Sequence, residues 1–120
     1  MPTGLLIVDH GSTHSEANRM LEKVAELVRV QAPGLIVHTA HMELAEPSIR
    51  TGFSACVSEG ADNIVVHPYM LSPGRHATSD IPRLVSEVAA SFPDVPYTVT
   101  PPLGLHEKIS EVILERSGLT

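Results

Sequence analysis

The chain has 120 residues, 42% of them hydrophobic, and a formal net charge of −6 at pH 7. That is enough apolar content for one core, so residues 1–120 are read as a single α/β domain. Eight Lys and Arg are spread along the chain with no basic stripe, and the aromatics are only Phe53, Phe92, Tyr69 and Tyr97, so nucleic acid is not an expected partner.

A lone cysteine, Cys56, rules out an internal disulfide and any multi-cysteine zinc or iron–sulfur site within one chain, and it fits a reducing, cytoplasmic setting. Met1 to Gly4 has no basic n-region, and the apolar segment that follows is too short for a signal peptide or a membrane span. A soluble protein with no membrane partner is expected. Seven histidines are about twice ordinary usage. They are scattered, so no histidine tract explains them.

Leu5 to Asp9 is an apolar run without alternation, as expected of a strand buried on both faces of a parallel sheet. Ala17, Met20, Leu21, Val24, Leu27 and Val28 then recur at three- and four-residue spacing, which predicts a helix ended by Pro33-Gly34, with Ser15 as its cap and Glu16 in the first turn. Leu35 to Ala40 is the second predicted strand. Pro47 is expected to open the next helix, with Ile49, Phe53, Cys56 and Val57 as its buried stripe up to Gly60.

Asn63 to His67 reads as a third strand stopped by Pro68. A Pro/Gly-punctuated loop of about ten residues follows, and Asp80 is read as the cap of a helix whose core face is Leu84, Val85, Val88, Ala89 and Phe92. Tyr97 to Thr100 is a short fourth strand. Leu105, Ile109, Val112 and Ile113 form the apolar face of a last helix that ends near Arg116.

Four strands each followed by a helix predict a three-layer α/β/α fold around a four-stranded parallel sheet, half of a flavodoxin-like architecture. With strand order 2-1-3-4 the chain reverses direction between the first and third strands, and ligands of such sheets sit outside the carboxyl ends at that point. His10 and the loop carrying His76 leave those two strands at that edge, so topology brings them together.

Two imidazoles plus a carboxylate suit first-row divalent metals, and few protein ligands suit transient holding. Glu43, just past the second strand, is the candidate carboxylate, while Glu46 is assigned to the helix start. Gly11 lets the backbone approach a ligand, and Arg75 beside His76 could grip carboxylates. The glycine patterns of dinucleotide and P-loop sites and the nucleophile elbow of hydrolases are absent. His38 and His41 are read as core or surface residues, His67 as open to either role, and His14 and His106 as solvated residues beside helix starts.

The ordered set Leu6-Ile7-Val8-Asp9-His10-Gly11-Ser12, Met42-Glu43-Leu44-Ala45-Glu46-Pro47-Ser48-Ile49, Pro68-Tyr69-Met70-Leu71, Pro73-Gly74-Arg75-His76, Asp80-Ile81-Pro82 and Pro102-Leu103-Gly104-Leu105-His106 resembles the sirohydrochlorin chelatases of the CbiX type, class II chelatases that insert cobalt, iron or nickel into a tetrapyrrole. The resemblance implies His10 and His76 as metal-binding and catalytic residues, with Glu43 for proton removal or metal delivery. It further implies Ser12, Gly74 and Arg75 at the tetrapyrrole, a divalent metal (Co2+, Fe2+ or Ni2+) as substrate, and sirohydrochlorin as its acceptor. A homodimer of single-lobed copies is implied too. Thr13 stands where many relatives carry arginine, and with Cys56 alone no iron–sulfur cluster is expected. A carrier that binds metal or tetrapyrrole without turnover is the alternative.

Overall fold

A computed structural model describes residues 2–119. Four parallel strands, β1 (Thr3–Asp9), β2 (Ile36–His41), β3 (Asn63–Pro68) and β4 (Tyr97–Val99), form one sheet in the order β2-β1-β3-β4. Four α-helices alternate with them, α1 (Ser15–Gln31), α2 (Ile49–Ser58), α3 (Ile81–Ala89) and α4 (Glu107–Arg116), and a π-helical turn at His76–Asp80 leads into α3. The order and the parallel pairing are those that the strand–helix alternation predicts. No helix among the described residues is long and apolar enough to cross a membrane.

Strand alternation divides the core in two. Leu6 and Val8 of β1, Ala40 of β2 and Ile64 and Val66 of β3 point to one face, where Ile49, Phe53 and Cys56 of α2 and Ile81, Val85 and Val88 of α3 cover them. Ile7 and Val37 point to the other face and meet Leu21 and Ala25 of α1. The central strand therefore buries side chains on both faces, which is why its sequence shows no period of two. Gly52 lets α2 approach the sheet closely: a Cβ there would lie 2.6 Å from Leu6 Cδ1 and 2.9 Å from the Thr39 carbonyl oxygen. The edge strand β2 is closed off by α1. Arg29 donates from Nε (3.2 Å) and Nη2 (2.7 Å) to the Val37 carbonyl and pairs with Glu22, which in turn accepts from Thr39 Oγ1.

Three helix starts differ from the sequence expectation. α1 is capped at His14, not Ser15, with no side-chain cap bond. α2 begins at Ile49, because Ser48 takes the N-cap and accepts from the Thr51 N–H, leaving Pro47 outside the helix. Asp80 has helical backbone angles and makes no cap bond, since the π-helical turn already supplies the preceding turn of α3. Phe92 lies beyond the end of α3 but still packs on the core, against Phe53.

The last helix departs further. α4 forms where its spacing predicts, capped by His106 Nδ1, which accepts from the Lys108 N–H. None of its residues is buried, and Leu105, Val112, Ile113 and Leu114 are exposed. α1 lies over β2 and β1, and on the same face of β3 and β4 Val65 and His67 are half-buried while Thr98 is exposed.

Candidate metal-insertion site

The carboxyl ends of β1, β2 and β3 release three loops at the switch point between β1 and β3. His10 leaves β1, the 42–47 loop carrying Glu43 leaves β2, and the loop after β3 returns through His76. The His10 and His76 rings meet edge to face, with centroids 4.8 Å apart and planes at 72°. Glu43 Oε1 lies 3.2 Å from His10 Nε2. Three of the residues singled out in the sequence therefore converge, and all three side chains are half exposed.

Each imidazole is oriented from behind. His10 Nδ1 lies 3.2 Å from the Gly11 carbonyl oxygen, an acceptor for an N–H at that nitrogen, and Nε2 faces the Glu43 carboxylate. His76 Nδ1 is 2.9 Å from Asp80 Oδ2, one turn ahead, leaving its Nε2 free. A carboxylate or carbonyl behind each ring is the arrangement that fixes the tautomer of metal-ligating histidine. Asp80, read from the sequence as the start of the helix that fixes where the His76 loop stands, thus also contacts the His76 ring directly. Its signal is the His-x-x-x-Asp spacing, which stacks both residues on one face of a helical turn.

Gly11 is where the first two loops touch. Its backbone is left-handed, at φ +94°, and a Cβ would sit 1.9 Å from the Glu43 carbonyl oxygen. Behind it, the Met42 N–H donates to the Asp9 carbonyl and the Glu43 N–H to the His10 carbonyl, at 2.9 and 3.1 Å. Glu46 belongs to the helix start, as the sequence suggests, accepting from the Ser48 N–H and the Thr51 hydroxyl.

The remaining candidates are placed at the rim. Ser12 lies in the β1–α1 loop with its hydroxyl accepting from the His14 N–H, while Asn18 holds its backbone through both N–H and C=O. Gly74 has open space where a Cβ would stand and accepts from the Thr78 N–H and hydroxyl. Arg75 is exposed and makes no ion pair among the described residues, so its guanidinium is free for an anionic ligand.

The other histidines have separate partners. His38 pairs with Glu59, away from the site. His67 Nδ1 contacts Thr100 Oγ1 at 2.9 Å, and burial holds its pKa below the usual imidazole value. His41 is buried against Asp9. Among the described residues no group of three or more His, Cys, Asp or Glu side chains is arranged to enclose a metal ion. The site is an open pair of imidazoles with a carboxylate alongside.

Known proteins share both the sequence pattern and the fold of this chain. The CbiX family model matches residues 4–118. The chain is 46% identical over 113 residues to the chloroplastic sirohydrochlorin ferrochelatase of Arabidopsis thaliana, covering 94% of this chain and 50% of that protein. It is 32% identical over 123 residues to the sirohydrochlorin cobaltochelatase of Saccharolobus solfataricus, covering 98% of this chain and 94% of that one. The fold superimposes on the sirohydrochlorin chelatase SirB from Bacillus subtilis subspecies spizizenii, solved in complex with cobalt, with a TM-score of 0.91 and 30% identity over 98% of this chain and 50% of that one. Against several such relatives the chain spans half of their length or less. By a family match that runs through all four strands and the site loops, the chain belongs to the CbiX family.

Proposed function

We propose that this chain inserts a divalent metal ion, Co2+, Fe2+ or Ni2+, into sirohydrochlorin, with His10 and His76 holding the metal and Glu43 receiving protons. The observation that carries the reading is the convergence of the two imidazoles at 4.8 Å with the Glu43 carboxylate 3.2 Å from His10. The names of the relatives supply the substrate class.

The chemistry follows from charge balance. The free macrocycle carries two pyrrole N–H protons, and a divalent metal replaces both, so insertion releases two protons per turnover. A carboxylate beside the metal accepts them in turn, an effect worth about a hundredfold or more in rate. The Nε2 atoms of His10 and His76 are the donors that would hold the metal. Two imidazoles without an enclosing ligand set favour release of the ion into the ring, which offers four nitrogens. The net charge of −6 opposes an anionic macrocycle at long range, and unpaired Arg75 at the rim supplies local attraction for its carboxylates, with Ser12 and Gly74 beside it.

The reading extends to a cytoplasmic homodimer. Leu105, Val112 and Ile113 present an exposed apolar stripe, so a second copy docking through α4 would bury it. Light scattering of the wild type and Ile113→Asp, expected as dimer and monomer, tests that part.

For the activity, sirohydrochlorin is mixed with each metal and the change in the absorbance of the ring is followed with enzyme far below substrate. The wild type is expected to turn over many equivalents, while His10→Ala and His76→Ala each lose on the order of a hundredfold or more. Product limited to one equivalent would indicate a carrier. Wild-type rates in both histidine variants would refute the assignment.

A further inference from the structure

We propose that the Asp9–His41 pair is the strut that sets the distance between His10 and Glu43, a positioning role one residue away from the metal pair. The proposal rests on the reading of His10, His76 and Glu43 as a metal site. Asp9 is the last residue of β1 and His41 the last of β2, and they are register partners. Alternation from Ile7 and Thr39 sends both side chains to the α1 face, where His41 Nδ1 donates to Asp9 Oδ1 at 2.6 Å. His41 is 3% exposed and Asp9 22%, so this is the most enclosed of the histidine–carboxylate pairs among the described residues. A short bond to an ionised acceptor in a water-poor place is among the stronger polar contacts a fold can make.

The pair sits where it closes a loop. The His41 N–H donates to the Pro47 carbonyl at 2.8 Å, and His41 bridges Ser48, so the 42–47 loop begins and ends on this one residue. Inside that closure Leu44 adopts the left-handed region at φ +73°, an unfavourable conformation for a residue with a branched side chain. The loop therefore needs external restraint, which Glu46 supplies at the α2 start and which on the β1 side comes from the Met42 and Glu43 N–H groups on the Asp9 and His10 carbonyls, Gly11 against the Glu43 backbone, and the Asp9–His41 bond beneath. Apart from the Glu43–His10 contact itself, the last is the side-chain bond that ties the two strand ends beneath the loop. It pins the β1 and β2 ends at the residues preceding His10 and Met42, so its loss frees Glu43 to swing away from His10 while the sheet below stays paired.

The test compares Asp9→Ala, His41→Ala and Asp9→Asn with the wild type, and with Ile64→Ala as a core deletion at the opposite, amino end of the sheet. Two measurements are made on each. Amide hydrogen exchange at Met42 and Glu43 needs no metal and reports the loop directly. Calorimetric Co2+ titration reports the site. Asp9→Ala and His41→Ala are expected to speed exchange at both amides about tenfold and weaken Co2+ binding about tenfold or more. Asp9→Asn, whose amide oxygen still accepts from His41, is expected to stay within about threefold of the wild type on both counts. Ile64→Ala is expected to lower the melting temperature without moving either readout. Unchanged exchange in Asp9→Ala, or equal effects in Ile64→Ala, would overturn the strut. If the wild type takes up no Co2+, the metal reading falls, and the exchange data still decide whether the pair holds the loop.

Discussion

Gly11→Ala is the sharpest structural probe of the site, because the structure sets its cost. The position lies at φ +94°, where an L-residue pays about 1–2 kcal/mol in backbone energy alone. The new Cβ would stand 1.9 Å from the Glu43 carbonyl oxygen and 3.2 Å from His41 Cβ. The first contact is with backbone, so no rotamer change relieves it and the 42–47 loop has to retreat by more than about 1 Å to reach ordinary contact. That retreat gives up the bond from the Glu43 N–H to the His10 carbonyl, worth a further 0.5–1.5 kcal/mol or about that. The sum is about 1.5–3.5 kcal/mol, and for a domain of this size the melting temperature drops by roughly 10 °C. Circular dichroism melts of Gly11→Ala and Gly34→Ala, the second having nothing within 4 Å of its Cβ position, measure the difference. Co2+ titration of the same proteins shows whether the carboxylate has moved from His10. A Gly11→Ala protein that melts within about 2 °C of the wild type and binds Co2+ as well would show that the two loops are not in the contact described.

Asp80→Ala leaves His76 without the carboxylate behind its Nδ1, and Co2+ affinity is expected to fall about 10–100-fold; Asp80→Asn, which keeps an acceptor oxygen, is expected to lose less, and titration calorimetry ranks them. Burial lowers the pKa of His67, so the unfolded chain binds this proton more readily than the folded one. Stability from this residue is therefore present above the ordinary imidazole value of about 6.5 and lost as pH falls through the lowered folded value. Urea midpoints between pH 7 and 5 are expected to fall less steeply in His67→Gln than in the wild type, and parallel curves would refute the assignment. The Cys56 thiol is pushed up to about 12, first by burial and then by the Glu59 charge. Native protein is expected to react negligibly with a disulfide reagent at pH 8 and to react fully once unfolded in urea, as a colorimetric thiol assay would show.

What was legible in the sequence is what depends on local pattern or on a topological rule. The unalternating run Leu5–Asp9 announces a strand buried on both faces, and it is the central strand β1, whereas Asn63–His67 forms the other inner strand but buries fully only the Ile64 and Val66 face. Given four strand–helix units, the rule for ligand sites in parallel sheets places His10 opposite His76, and the rings are in contact. Pairings that depend on register or on an unusual turn were not legible. Asp9 meets His41 only because β1 and β2 align those two residues, and a slip of one would have sent one side chain to the other face. Asp80 reaches His76 because the chain enters α3 through a π-helical turn rather than a capped loop, so a residue type favoured at caps serves instead to hold an imidazole. For α4 the period of the apolar residues was clear, but period describes a face and not what covers it, and in this chain that face is uncovered. The same distinction applies at the site. Residue types and spacing indicate which groups can hold a metal, whereas the bonds behind them determine where those groups stand. On the proposed reading, Asp9, Gly11, His41 and Asp80 are therefore the positions at which the site is expected to loosen without change to His10, His76 or Glu43.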